Sequence, residues 1–335
     1  MSKRPHLPKQ LSCSSVCRVV VGVVAAATMT FAVADSYPSK PVRVIVPSPS
    51  GGGSDPLARL LGPCLTTKLA QPIVVDNKGG ANGLIAVQEL MRSPADGYTM
   101  MLAGMSQLAI TPYIYKTRPY DVGSEFVPVS LLVSGPFVLT ASLSSGIKSF
   151  DELQSAGQRA NGLTFASPGP GSPAHLISAM LAEKLKMQTT HVPFQGEAAA
   201  ITSMMGGEVQ MGSFLAGTAL PHVAAGKVRA LAVLGTRRLA ELPDVPTITE
   251  VAPMPELTRG SWTAFVVKTG TPPEVVTKLH SATQQCLTDS KVAETFRAIK
   301  VTALTGTTPA DVATYIQNDT SMYKPIVERL GLRND

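Results

Sequence analysis

The chain is short of the residues that do chemistry. It has five histidines, four cysteines and one tryptophan among 335 residues. No two histidines stand at a metal-ligand spacing, so no metal site is expected. There is no G-x-S-x-G elbow. Gly104-Met105-Ser106-Gln107-Leu108 comes closest and lacks the last glycine. Neither G-x-x-x-x-G-K-[ST] nor G-x-G-x-x-G occurs, which argues against a nucleotide. No loop holds paired carboxylates in settings that would split their pKa values. His175, His191 and His222 read as packing or surface residues. The expectation is a protein without catalysis, cofactor or metal.

Acidic residues are absent before Asp35, while Lys3, Arg4, Lys9 and Arg18 precede an apolar, small-residue run over 19–33. The run ends Ala32-Val33-Ala34. This is the pattern of a secretory signal peptide cleaved near Ala34. The run falls short of the roughly 20 residues of a membrane span. Without the leader, the 29 basic residues fall to 25 against 23 acidic ones, a net charge of +2. The basic pI therefore belongs partly to targeting. With no basic cluster interleaved with aromatics, no nucleic-acid partner is expected.

Cysteine is scarcer still after export, because Cys13 and Cys17 leave with the leader. Cys64 and Cys286 each fall on the apolar face of an expected helix. Two buried thiols are the plainer reading. A disulfide in an oxidising compartment is the other, and it needs Cα atoms within about 7 Å.

What is present is an alternation. Strands are expected at 42–46, 73–75, 98–102, 137–141, 163–166, 190–192, 209–211 and 230–234. Between them lie helices at 55–69, 83–92, 149–160, 172–186, 197–205 and 215–225, with three more at 273–287, 291–299 and 309–330. Such alternation implies α/β architecture with parallel sheets, and the length implies two lobes. Ligands in such sheets bind at the carboxyl ends of the strands. Four loops rich in Gly, Ser, Asn or Pro are placed there: 47–54, 77–83, 103–107 and 167–172. Ser54 or Asp55 is expected to cap the helix at 55–69, and Ser172 the helix that opens at Pro173. Hydroxyls and N–H groups at helix starts suit a carboxylate. The four loops hold little that moves protons.

The stretches YPSKPVRVIVPSPSGGGSD, QPIVVDNKGGANG, SPADGYTMMLAG, LTFASPGPGSPAHL, HVPFQGEAAAITSMMGGEVQM and RLAELPDVPTITE, with TGTPPEV near the last third, resemble one family. It is the extracytoplasmic solute receptors of tripartite tricarboxylate transporters, the Bug proteins. The resemblance runs from Tyr37 to the C-terminal helix.

It implies a type II periplasmic binding protein fold, with two doubly wound lobes joined by two crossing strands near 129–132 and 262–267. The expected division is a signal peptide at 1–34, lobe one at 35–134 plus 259–335, and lobe two at 135–258. That places Cys64 and Cys286 in one lobe and favours their pairing. The implied function is capture of a small organic carboxylate by a monomeric periplasmic receptor, which delivers it to membrane permease subunits. A ligand-sensing partner of a membrane kinase is the alternative within the same fold. A secreted serine hydrolase built on Ser106 is the rival from another class.

Carried onto this chain, one pincer comprises Ser48, Ser50, Gly51, Gly52, Gly53, Ser54 and Asp55. Asp55 would act by orienting the loop, because a bare carboxylate repels an anionic ligand. The facing pincer comprises Ser167, Gly169, Gly171 and Ser172. Ser106 and Gln107 join from the third loop. The first loop is smaller and more polar than the usual PFPPGGATD. Where relatives carry a polar run after the strand at 209–211, this chain has Phe214 and Leu215. Placed across the cleft, these two imply a ligand with a less polar far end, an aromatic or branched monocarboxylate.

Overall fold

Apolar β-branched runs bounded by Gly and Pro become the strands of two sheets. The computed structural model describes residues 37–332. The leader at 1–34, its cleavage at Ala34, and Cys13 and Cys17 lie outside the described residues.

Sheet one contains β1 (Val42–Val46), β2 (Ile73–Asn77), β3 (Thr99–Gly104), β4 (Phe126–Gly135), β10 (Ser261–Lys268) and β11 (Thr302–Ala303), in the order β11-β4-β10-β3-β1-β2. Sheet two contains β5 (Phe137–Ser142), β6 (Leu163–Ser167), β7 (Thr189–Pro193), β8 (Met211–Leu215) and β9 (Val228–Leu234), in the order β7-β6-β8-β5-β9. The β1, β2 and β3 strands pair in parallel, as do β6, β7 and β8. Neither sheet is wholly parallel, against expectation. The β10 strand runs antiparallel to β3 and β4, and β5 antiparallel to β8 and β9. β10 and β5 each follow a crossing between sheets, so they enter from the opposite direction, and the short β11 also runs antiparallel to β4. The expected strand at 209–211 is instead Met211–Leu215, because pairing with Phe137–Ala141 carries it on to Leu215.

The longer helices are α1 (Asp55–Leu69), α2 (Leu84–Arg92), α3 (Phe150–Gly157), α4 (Pro173–Lys184), α5 (Glu197–Gly206), α6 (Ala216–Ala224), α7 (Pro273–Leu287), α8 (Ser290–Ala298) and α9 (Pro309–Arg329). In α1, Leu57, Leu61, Leu65 and Leu69 recur every fourth residue and are buried, the periodicity of one helix face. In lobe two, Phe165 and Met211 share a cluster with Leu176, Ile177 and Leu181 of α4. Val138, Ala166 and Phe214 pack with Ile201 and Met204 of α5. Cys64 on α1 and Cys286 on α7 form a disulfide, with Cα atoms 5.7 Å apart and a sequence separation of 222. No helix among the described residues is long and apolar enough to cross a membrane.

The chain passes from sheet one to sheet two at Gly135-Pro136, directly between β4 and β5. Its return before β10 runs beside that point. Gly260 has φ +67°, and a Cβ there would stand 2.6 Å from the carbonyl oxygen of Gly135. Only glycine tolerates both the left-handed backbone and the contact.

Candidate functional site

The segments that follow the carboxyl ends of β2 and β3 in sheet one meet the loop that follows β6 in sheet two. Asn82, in the loop after β2, donates from Nδ2 to the carbonyl oxygen of Pro170, in the loop after β6, at 2.8 Å. A Cβ on Gly171 would lie 3.1 Å from Ile114 and 3.5 Å from Asn82 Nδ2. The two lobes thus touch at loops singled out from composition.

The loop after β1 is organised by Asp55, which is 2% exposed. Its Oδ2 accepts from the Gly51 N–H at 2.7 Å and from Arg59 Nε at 2.9 Å. Its Oδ1 accepts from Asn77 Nδ2 at 2.9 Å. The bond from Arg59, assisted by those from Gly51 and Asn77, outweighs burial and pulls the carboxyl pKa down to about 2. Asn77 also donates to the Ser48 carbonyl at 3.0 Å, and Gly79 packs against Pro49 where a Cβ would clash at 2.8 Å. The expected side-chain cap of α1 is absent, because Ser54 makes none and Asp55 is spent on the loop. Ser48 Oγ donates to the Gly52 carbonyl at 2.7 Å, and the Gly52 N–H donates to the Pro49 carbonyl at 3.1 Å. Among the described residues, the N–H groups of Gly53 and Ser54 and the Ser54 hydroxyl make no protein hydrogen bond. They lie at the start of a 15-residue helix, where the dipole favours an anion.

In the third loop, Gln107 is buried and internally satisfied. Its Oε1 accepts from the Gly104 N–H at 3.1 Å, and its Nε2 donates to the Asn82 carbonyl at 3.0 Å. Tyr120 donates to the Gln107 carbonyl at 2.6 Å. Gln107 therefore positions Asn82, which has φ +51°, and does not present a free donor. Ser106 is half-buried, and its hydroxyl has no partner among the described residues. Beside this loop, Thr263 pairs with Gly104 across β10 and β3. Its hydroxyl is buried without a partner.

The facing loop in lobe two is self-contained. Ser167, fully buried, has its Oγ 2.7 Å from His191 Nε2, and it accepts from the Gly169 N–H at 3.2 Å. Ser172 Oγ donates to the Gly169 carbonyl at 2.7 Å and caps α4 by accepting from the His175 N–H at 3.3 Å. The Ser172 N–H donates to the same Gly169 carbonyl at 3.2 Å. The Gly171 N–H donates to His175 Nδ1 at 3.0 Å, so that nitrogen carries no proton. Pro168 and Pro170 have no N–H to offer. Ser167, Gly169, Gly171 and Ser172 therefore shape the loop, and its donors are spent within it. The loop presents a wall of proline and glycine to lobe one.

His175 and His191 stack with centroids 3.8 Å apart, and Phe165 lies against His191 at 4.9 Å. Burial, helped by the neighbouring His191, pushes the His175 pKa down to about 4, and burial lowers that of His191 too. The contact between Ser167 and His191 is no hydrolytic dyad. The serine is enclosed, and among the described residues no carboxylate orients His191.

At the end of β8 the expectation is corrected. Phe214 is 0% exposed and belongs to the core against α5, so it does not line the cleft. Leu215 is half-buried. The Leu215 N–H donates to Oε1 of Glu197 at 3.1 Å, and Thr218 Oγ1 donates to Oε2 at 2.6 Å. A carboxylate from the first position of α5 therefore lies against the end of β8, beside Leu215. Among the described residues, no group of three His, Cys, Asp or Glu could hold a metal.

The family model described as "Tripartite tricarboxylate transporter family receptor" matches residues 57–332. The chain belongs to this family. Protein BugT of Bordetella pertussis is 32% identical over 302 residues, spanning 90% of this chain and 92% of BugT. Among solved structures, Rpa4515 of R. palustris with adipate superposes with a TM-score of 0.80 at 29% identity, over 88% of this chain and 98% of that one. MatC from Rhodopseudomonas palustris, with bound malate, gives 0.79 at 28% identity, over 87% and 100%. The family's members are periplasmic solute receptors and not enzymes. Within that family, Asn77, Asn82, Arg59, Glu197 and Thr263 of this chain escaped sequence reasoning. Asn82 carried a signal, since Asn before Gly tolerates a left-handed backbone. The others are polar residues whose partners lie on other segments.

Proposed function

We propose that the protein captures a small organic carboxylate between its lobes and delivers it to the membrane permease subunits of a tripartite transporter. The observation that carries this reading is the unspent set of donors at the start of α1, in a loop that packs against the loop after β2, whose Asn82 reaches the proline and glycine loop of lobe two. The ligand carboxylate is held by the N–H groups of Gly53 and Ser54 and by the hydroxyls of Ser50, Ser54 and Ser106. Asp55 and Gln107 hold these loops in place, and Ser167 and Ser172 hold the wall that closes on them. Three or four charge-assisted bonds at about 1.5–3 kcal/mol each, less the cost of association, suit micromolar affinity. Relatives of known structure carry adipate and malate, which supports a carboxylate as cargo.

In this reading the protein acts as a periplasmic monomer after cleavage near Ala34. Lobe one is 35–134 with 259–335, and lobe two is 135–258. Closure pivots at Gly135-Pro136 and Gly260. Native mass spectrometry of the exported protein, with isothermal titration of small carboxylates and their methyl esters, tests the reading. Micromolar binding of an acid and none of its ester is expected. Binding of ester and acid alike would sink it.

A further inference from the structure

Glu197 stands at the first position of α5 and receives donors from the first turn of α6. Leu215 is the N-cap residue of α6 and Thr218 its third residue. A helix start of this kind is the natural seat of an anion. Here the protein's own carboxylate already fills it. The Ala216 N–H donates to the carbonyl oxygen of Pro136 at 2.9 Å, so this turn stands beside the crossing between lobes. A Cβ on Gly217 would meet the Ile299 carbonyl at 2.6 Å, which presses the same turn against lobe one. The α1 donors follow β1 in sheet one, and Glu197 is bonded to the turn beside the crossing.

No Lys, Arg or His pairs with Glu197 among the described residues. A carboxylate has roughly four lone-pair directions, and two donors satisfy half of them. Burial raises its proton affinity against the two hydrogen bonds that lower it. The group is therefore half-buried, short of donors and without a countercharge.

We propose that Glu197 reads the far end of the ligand, excluding a second carboxylate and accepting a hydrogen-bond donor such as an ammonium or hydroxyl group. The proposal rests on the carboxylate-receptor reading and narrows it to carboxylates with a donor at the other end. A second carboxylate would face a like charge in a partly desolvated cleft, which opposes its binding. A donor-bearing end would supply what Glu197 lacks. This replaces the less polar far end that Phe214 had suggested, because Phe214 lies in the core.

The test compares matched chain lengths by isothermal titration of the full exported protein. Succinate, glutarate and adipate are set against the ω-amino and ω-hydroxy acids of the same length. The wild type is expected to bind at least one ω-amino or ω-hydroxy acid about tenfold or more tighter than its dicarboxylate twin. Glu197→Gln, which keeps the shape and removes the charge, should narrow or invert that ratio. A dicarboxylate preferred by the wild type overturns the proposal, and so does a ratio unchanged in Glu197→Gln. Thermal melting checks that the variant folds; if it does not, the wild-type ranking alone decides. If no acid of any class binds wild type or variant, the receptor reading itself falls.

Discussion

The Asn82 side chain reaches across the cleft to the Pro170 carbonyl at 2.8 Å, while its own carbonyl accepts from Gln107 Nε2 at 3.0 Å and Thr111 Oγ1 at 3.2 Å. One residue is thus fastened to lobe one by its backbone and to lobe two by its amide. Asn82→Gly keeps the left-handed backbone and removes the latch. Ligand affinity should fall by about 2- to 10-fold, the value of one hydrogen bond, with the melting temperature nearly unchanged. Titration calorimetry with a bound acid reads the first effect and thermal melting the second. Full affinity in the variant would show that the latch does not contribute to closure.

Asp55 should matter far more than a surface carboxylate. Asp55→Ala leaves the Gly51 N–H, Arg59 Nε and Asn77 Nδ2 without their acceptor. Each unpaired group costs about 1–3 kcal/mol where buried. Destabilisation of roughly 2–4 kcal/mol and loss of carboxylate binding are expected. Chemical denaturation with titration of the same variant measures both.

Acid should weaken the protein in two separate steps. His175 is neutral in the fold, with its pKa down at about 4 from 6.5. Between these values the unfolded chain binds the extra proton, so stability falls as pH drops from about 6.5 toward 4. The loss is at most roughly 3 kcal/mol for this group. Asp55, lowered from 3.8 to about 2, contributes stability that is lost only as pH falls from 3.8 toward 2. Melting temperatures at about pH 7.5, 6, 5 and 4 should decline, and His175→Gln should flatten the upper step. An unchanged slope in that variant would assign the step elsewhere.

The Cys64–Cys286 bridge joins residues 222 positions apart within one set of helices. The chain-entropy model puts its contribution at about 5 kcal/mol, with roughly 2–4 kcal/mol typical of measurement. Cys64→Ser with Cys286→Ser should lower stability on that scale while leaving ligand affinity within about twofold, since the bridge does not cross the cleft. A paired denaturation and titration experiment separates the two.

Gly260→Ala should fail in proportion to its geometry. A methyl there meets the Gly135 carbonyl at 2.6 Å, and φ is +67°. A cost above about 1 kcal/mol is expected, read as a drop in melting temperature. Gly306→Ala, also left-handed but in open space, is the control and should cost less.

The sequence alone determined the period of each element. Leu57, Leu61, Leu65 and Leu69 dictate one buried helix face, and VRVIV dictates a strand, because side-chain spacing and local backbone preference act over a few residues. Gly and Ser after β1, β2, β3 and β6 marked the loops of the cleft for the same local reason. Tertiary structure decided which polar groups remain free in them. Gln107, Ser167 and Ser172 look like ligand donors in a row of letters, yet their capacity is consumed by Asn82, His191 and Gly169. Phe214 looks like a cleft wall and is core, since a one-residue step along a strand reverses the face. Glu197 looks like an ordinary first-turn acid, and only the approach of Leu215 and Thr218 makes it a half-buried carboxylate held against the first turn of α6. For Asn82 and Glu197 it is hydrogen bonds between segments 18 to 88 residues apart that set these roles, and no local pattern encodes them.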